Sequence, residues 1–85
     1  DLLALAYKAA GAGGSMPTVY NAANEKAVEL FLQGRISCLD IPELIGKAME
    51  EHKMIQNPKV DEILETEQSS YESVMRNMAR NFCDL

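Results

Sequence analysis

Pro17-Thr18-Val19-Tyr20-Asn21-Ala22-Ala23-Asn24-Glu25-Lys26-Ala27-Val28-Glu29-Leu30-Phe31-Leu32-Gln33-Gly34 decides the fold. Proline suits a first helical turn, where its missing N–H has no helical partner to lose. Glycine suits the position just past a helix end. Between them, at about 100° per residue, Val19, Tyr20, Ala23, Ala27, Leu30 and Phe31 share one broad face. Val28 and Leu32 widen it, and only Glu25, Lys26 and Glu29 make a polar strip. A helix this apolar is surrounded by others. It therefore belongs at the centre of a helical bundle, with Phe31 in the core.

Upstream, Leu2, Leu5, Ala6 and Ala9 recur at helical spacing, so a first helix is expected over residues 2–10, with room for its start to lie upstream of Asp1. Gly11-Ala12-Gly13-Gly14-Ser15 breaks it. Downstream, Asp40 and Glu43 read as a capping pair around Pro42. Ile41, Leu44, Ile45, Ala48, Met49 and His52 then form a stripe on a third helix, which Asn57-Pro58 stops. His52 at its end would favour the helix dipole if charged. Val60 to Leu64 reads as a short turn, with Val60, Ile63 and Leu64 facing inward. Thr66 or Ser69 would cap a last helix carrying Tyr71, Val74, Met75, Met78, Ala79 and Phe82. No strand-like alternation occurs. The expected fold is all-α: a four-helix bundle-like small domain with short loops, spanning 1–85 as one unit and cut from a longer chain.

Composition narrows function. A net charge of −5 with no Lys/Arg cluster disfavours nucleic acid and anionic membrane surfaces. No apolar run reaches the roughly 20 residues of a bilayer span. Cys38 and Cys83 read as thiols in small-hydrophobe roles, with a single disulfide as the minor alternative. Gly11-Ala12-Gly13-Gly14 follows a helix and lacks the spacing and the lysine of a nucleotide loop. His52 has no partner at metal-ligand spacing. The carboxylates Glu50, Glu51, Asp61, Glu62, Glu65 and Glu67 read as a solvated surface, and Met49, Met54, Met75 and Met78 as core fillers. No catalytic, cofactor-binding or metal-binding residue is expected.

The odd feature is Asn21-Ala22-Ala23-Asn24-Glu25. Amides are poor mid-helix residues, and a buried one needs a partner. Asn21, Asn24 and Glu25 are the candidate interdomain motif, read as partly an internal polar tie and partly a docking surface.

Gly13-Gly14-Ser15-Met16-Pro17, Asn21 through Leu32, Gly34-Arg35-Ile36 and Leu39-Asp40-Ile41-Pro42 closely resemble the C-terminal region of the 1-deoxy-D-xylulose 5-phosphate reductoisomerase family. The likeness is strong over residues 5–45 and fades after about residue 58. Cys38 stands where that family usually has Phe, and Tyr71 near where an Arg is common. The resemblance implies an NADPH-dependent parent oxidoreductase of the non-mevalonate isoprenoid pathway, making 2-C-methyl-D-erythritol 4-phosphate. It further implies NADPH and a divalent cation (Mg or Mn) held upstream, a homodimeric parent, a bacterial cytoplasm or plastid-type stroma, and for this piece a bracing role against the central catalytic domain. A small acidic adaptor module is the alternative. A carrier protein is weaker, because no Asp-Ser pair offers an attachment serine.

Overall fold

The computed structural model describes residues 1–83, with side chains through Asn81. Phe82, expected on the inner stripe, and Cys83, half of the possible disulfide, have side chains outside those described. Four helices run in order: α1 (Leu2–Ala12), α2 (Met16–Leu32), α3 (Asp40–Glu51) and α4 (Val60–Cys83). α2 and α3 form the central pair. α1 packs on both, α4 packs on both from the other side, and α1 and α4 do not meet among the described residues. The molecule measures 40 × 24 × 20 Å. Its long axis follows from α4, whose 24 residues extend about 36 Å at 1.5 Å per residue.

The helix ends show where local chemistry wins. Asp1 caps α1, its Oδ1 accepting the Ala4 N–H at 2.8 Å, and the helix runs from Leu2 to Ala12. Gly11 lies inside α1. A single helical glycine costs only about 1 kcal/mol, and termination falls instead to Gly13 and Gly14, at φ 70° and 56°. α2 ends as expected: Gly34, at φ 73°, donates to Phe31 C=O at 2.9 Å while Arg35 donates to Leu30 C=O at 3.0 Å. That pair of bonds satisfies carbonyls the helix would otherwise leave open.

Three expectations are corrected. Asp40 does not cap α3 as the lead residue of a box. Its carboxylate reaches back to Ser37, accepting the backbone N–H at 2.7 Å and the hydroxyl at 2.9 Å, so the reciprocal contact sits three residues earlier. α3 ends at Glu51, six residues before Asn57, because His52 takes extended backbone (ψ 134°). Two glutamates in the last turn oppose the helix dipole, and His52 is held elsewhere. α4 is one helix where a turn and a helix were expected. Thr66 is not a cap: its hydroxyl donates to Glu62 C=O at 2.7 Å. Ser69 and Ser70 likewise bond back to Thr66 C=O, so these hydroxyls ride within a continuous helix. The turn that starts it is closed by Glu62, which accepts the Lys59 N–H at 2.9 Å.

The core joins Ala9, Val19, Ala23, Ala27, Leu30, Ile36, Ile41, Leu44, Ile45, Ala48, Met49, Val74 and Met78. Alanines on α2 let neighbours approach closely. Phe31 is 40% exposed and lies outside this core. Val60 and Leu64 face solvent, as does Ala79. The inner face of α4 is instead polar, with Thr66, Ser70, Ser73 and Asn77 buried.

Candidate functional site

The candidate interdomain motif divides in the structure. Glu25 is an internal tie, its Oε1 accepting the Tyr71 hydroxyl at 3.0 Å and so joining α2 to α4. That bond, with burial, raises the Tyr71 pKa above its ordinary value. The Lys26 ammonium lies 5.5 Å from the Tyr71 ring centroid and pairs with Glu29 at 3.1 Å. Tyr71 thus has a defined role where the resemblance led one to expect arginine. Asn21 is exposed and Asn24 half-buried. Neither amide finds a hydrogen-bond partner among the described residues, and no described buried side-chain polar atom lacks one. Both amides therefore face outward, on a side that also shows Phe31 and Leu32, the latter 77% exposed.

Charge is segregated in the same sense. α1 and α2 together hold four charged residues, Lys8, Glu25, Lys26 and Glu29, whereas α3 and α4 hold twelve.

The glycine corner does not fit a cofactor phosphate. A Cβ at Gly14 would strike Ile55 C=O and lie 2.6 Å from Met54 Sδ, so the 52–56 loop already covers this backbone. Ser15 is fully buried. Its N–H donates to Ile55 C=O at 2.9 Å, its hydroxyl accepts the Ile55 N–H at 2.8 Å, and the same oxygen lies 2.7 Å from His52 Nε2. His52 is thus off the α3 stripe, and burial lowers its pKa, favouring the neutral ring. Among the described residues no three His, Cys, Asp or Glu side chains converge. Cys38 is exposed and free, not a small hydrophobe. Of the methionines, Met49 and Met78 fill the core, while Met54 is 37% exposed.

One cluster escaped the sequence. Glu51 accepts from the Ser73 hydroxyl at 2.6 Å, from Asn77 at 3.0 Å and from the Arg76 guanidinium. The Ser73 and Asn77 bonds, then Arg76, hold its carboxyl below the usual range against the opposing effect of burial. The signal was the recurrence of Thr66, Ser70, Ser73 and Asn77 at steps of four, three and four, a polar inner stripe. Its groups are mutually satisfied, and the cluster fastens α3 to α4.

Residues 1–73 match the model of a family described as the DXP reductoisomerase C-terminal domain. The chain is 54% identical over 74 residues to 1-deoxy-D-xylulose 5-phosphate reductoisomerase of Agathobacter rectalis, an alignment covering 87% of this chain and 20% of that protein. It is 50% identical over 78 residues to the protein of that name from Caldanaerobacter subterraneus subsp. tengcongensis, covering 92% and 20%. With the protein of that name from Geobacillus sp. the figure is 57% over 63 residues, covering 74% and 16%. The chain thus spans about a fifth of the length of the first two relatives.

Proposed function

The chain belongs to the DXP reductoisomerase C-terminal domain family, and from that premise we propose that it is the non-catalytic support domain of a parent 1-deoxy-D-xylulose 5-phosphate reductoisomerase. The parent reaction is the NADPH-dependent rearrangement and reduction that yields 2-C-methyl-D-erythritol 4-phosphate. NADPH, the divalent cation and the sugar phosphate belong to other parts of that polypeptide, and no chemical step is assigned to this bundle. The partner is the central catalytic domain of its own parent, taken as a homodimer. The bacterial relatives support a bacterial cytoplasm, and no helix among the described residues is long and apolar enough to cross a membrane. The family match favours this reading over a free adaptor or carrier.

The observation that carries the bracing role is the unpartnered pair Asn21 and Asn24 beside the exposed Phe31 and Leu32 of α2. Amides placed there supply hydrogen bonds to a neighbouring backbone while the apolar groups around them exclude water. Such a contact fixes the relative position of reacting groups that it never touches, and positioning errors lower turnover steeply.

The test removes the bundle from the parent. Truncation at Asp1 is expected to leave NADPH affinity intact and to cut turnover by about 100-fold, the scale for a displaced site. Full turnover by the truncated parent, or NADPH-dependent turnover by this chain alone, would overturn the reading.

A further inference from the structure

Lys8 is the single charged residue of α1, over Leu2–Ala12. A helix apolar on all sides is one that is surrounded, yet α1 is covered on one side only, by α2 and α3. Ala9 is its one fully buried residue. On the far side Leu3 and Tyr7, one helical turn apart, are 66% and 71% exposed. Ala4, Ala10 and Gly11 fill the surface around them, small enough for another backbone to come close. The outward sides of α3 and α4, by contrast, carry Glu43, Glu50, Glu65, Glu72 and Arg76. Leu3 and Tyr7 therefore do not belong to a face shaped for solvent.

Relatives are about five times as long as the aligned segment, and the matching family is described as a C-terminal domain. Most of the parent polypeptide accordingly lies on the amino-terminal side and joins the bundle through α1. We infer that the outer face of α1, centred on Leu3 and Tyr7, seats the part of the parent polypeptide that precedes Asp1. α1 is then a layer between that part and the α2–α3 pair. The inference rests on the support-domain reading and adds a second contact, distinct from the Asn21–Asn24 side of α2. The covering segment is apolar and uncharged, with one acceptor for the Tyr7 hydroxyl, which has no partner among the described residues.

The experiment uses the full-length parent. Hydroxyl-radical footprinting is expected to modify Tyr7 about tenfold more slowly in the native parent than in the denatured one, as for a ring passing from mostly exposed to buried. A benzoylphenylalanine photo-crosslinker in place of Tyr7 is expected to join a peptide preceding Asp1 within the same polypeptide. Free modification of Tyr7, with Phe31 and Leu32 on the Asn21–Asn24 side of α2 protected, overturns this inference and leaves the support-domain reading standing. A crosslink that joins two polypeptides overturns it too, by showing that a second copy covers the face. If the Tyr7 crosslinking variant fails to fold, the same crosslinker in place of the exposed Leu3 identifies the occupant, and free modification of Tyr7 in the unsubstituted parent still overturns the inference.

Discussion

Ser15 Oγ lies 2.7 Å from His52 Nε2 while accepting the Ile55 N–H at 2.8 Å. The bond to Ile55 occupies one lone pair, so the hydroxyl hydrogen is free to go to an unprotonated imidazole nitrogen. A protonated ring reverses this. Nε2 becomes a donor, the oxygen receives two hydrogens, and the buried hydroxyl hydrogen is left without an acceptor. The pair holds the 52–56 loop on the corner between α1 and α2, and explains why α3 stops at Glu51.

Stability should follow the charge on His52. Its folded pKa is lowered by burial, so its contribution is complete above the ordinary histidine value. That contribution is lost as pH falls through the lowered value. Thermal melts should be level from pH 8 to 7 and begin to fall as the pH drops below about 6.5. His52→Gln should flatten that fall. Glu51 acts in a separate window: its pKa is also lowered, so its share is lost only below about pH 4.3. A wild-type melt unchanged from pH 7 to 5 would remove the latch role of His52.

Gly14 and Gly34 should respond differently to the same change. Both have positive φ, but nothing lies within 4 Å of a Cβ at Gly34, while Gly14 abuts Ile55 and Met54. Gly34→Ala should cost about 1–2 kcal/mol, the left-handed penalty alone. Gly14→Ala must also displace the 52–56 loop, and should cost clearly more. In a domain of this size each kcal/mol moves the midpoint by about 4–8 °C. Equal losses at the two positions would show that the corner is not tightly packed.

Much of this fold was legible because its helices are bounded by local chemistry. Pro17 and Gly34 bracket α2, and the Leu44, Ile45, Ala48 and Met49 stripe marks α3. The failures share one physical origin, contacts distant in sequence. α3 stops where Ser15 captures His52, a partner 37 residues away. Thr66 and Ser69 carry the side chains of helix caps, and only the continuous backbone shows them bonding back along α4. Phe31 is apolar on an apolar helix, but it sits about 100° beyond Leu30, outside the arc that α1, α3 and α4 cover. Asn21 and Asn24 were legible as anomalies from the cost of amides in such a helix. That Glu25 ties inward while both amides turn outward was not, because the difference depends on where Tyr71 arrives.

Core and rim on the central pair should separate by mutation. Leu44 is fully buried and Phe31 is 40% exposed. Leu44→Ala should cost about 2–5 kcal/mol. Phe31→Ala, although it deletes more atoms, should cost about 1 kcal/mol. Chemical denaturation of the two variants checks the order. A larger loss at Phe31 would return that ring to the core.

The Asn24→Ala change separates docking from internal bracing. If Asn24 were tied within the bundle, its loss would unpair a buried group and cost about 1–3 kcal/mol. The structure shows no such partner among the described residues, and Asn24 is half-buried. Alanine is also the better helix former, by about 0.7 kcal/mol. The melting point of this chain should therefore hold or rise slightly. In the full-length parent the same amide would face the catalytic domain, where nothing replaces its hydrogen bonds. Turnover should fall there while the parent stays folded, with KM for NADPH unchanged if, as proposed, the cofactor is bound elsewhere. Asn21→Ala should behave in the same direction. Glu25→Gln should differ from both, because it weakens the Tyr71 tie and so lowers the melting point of this chain itself. Measured side by side, the three variants give opposite patterns for an outward amide and an inward carboxylate. A destabilised chain with normal parent turnover for Asn24→Ala would sink the docking role and leave a polar tie inside the bundle.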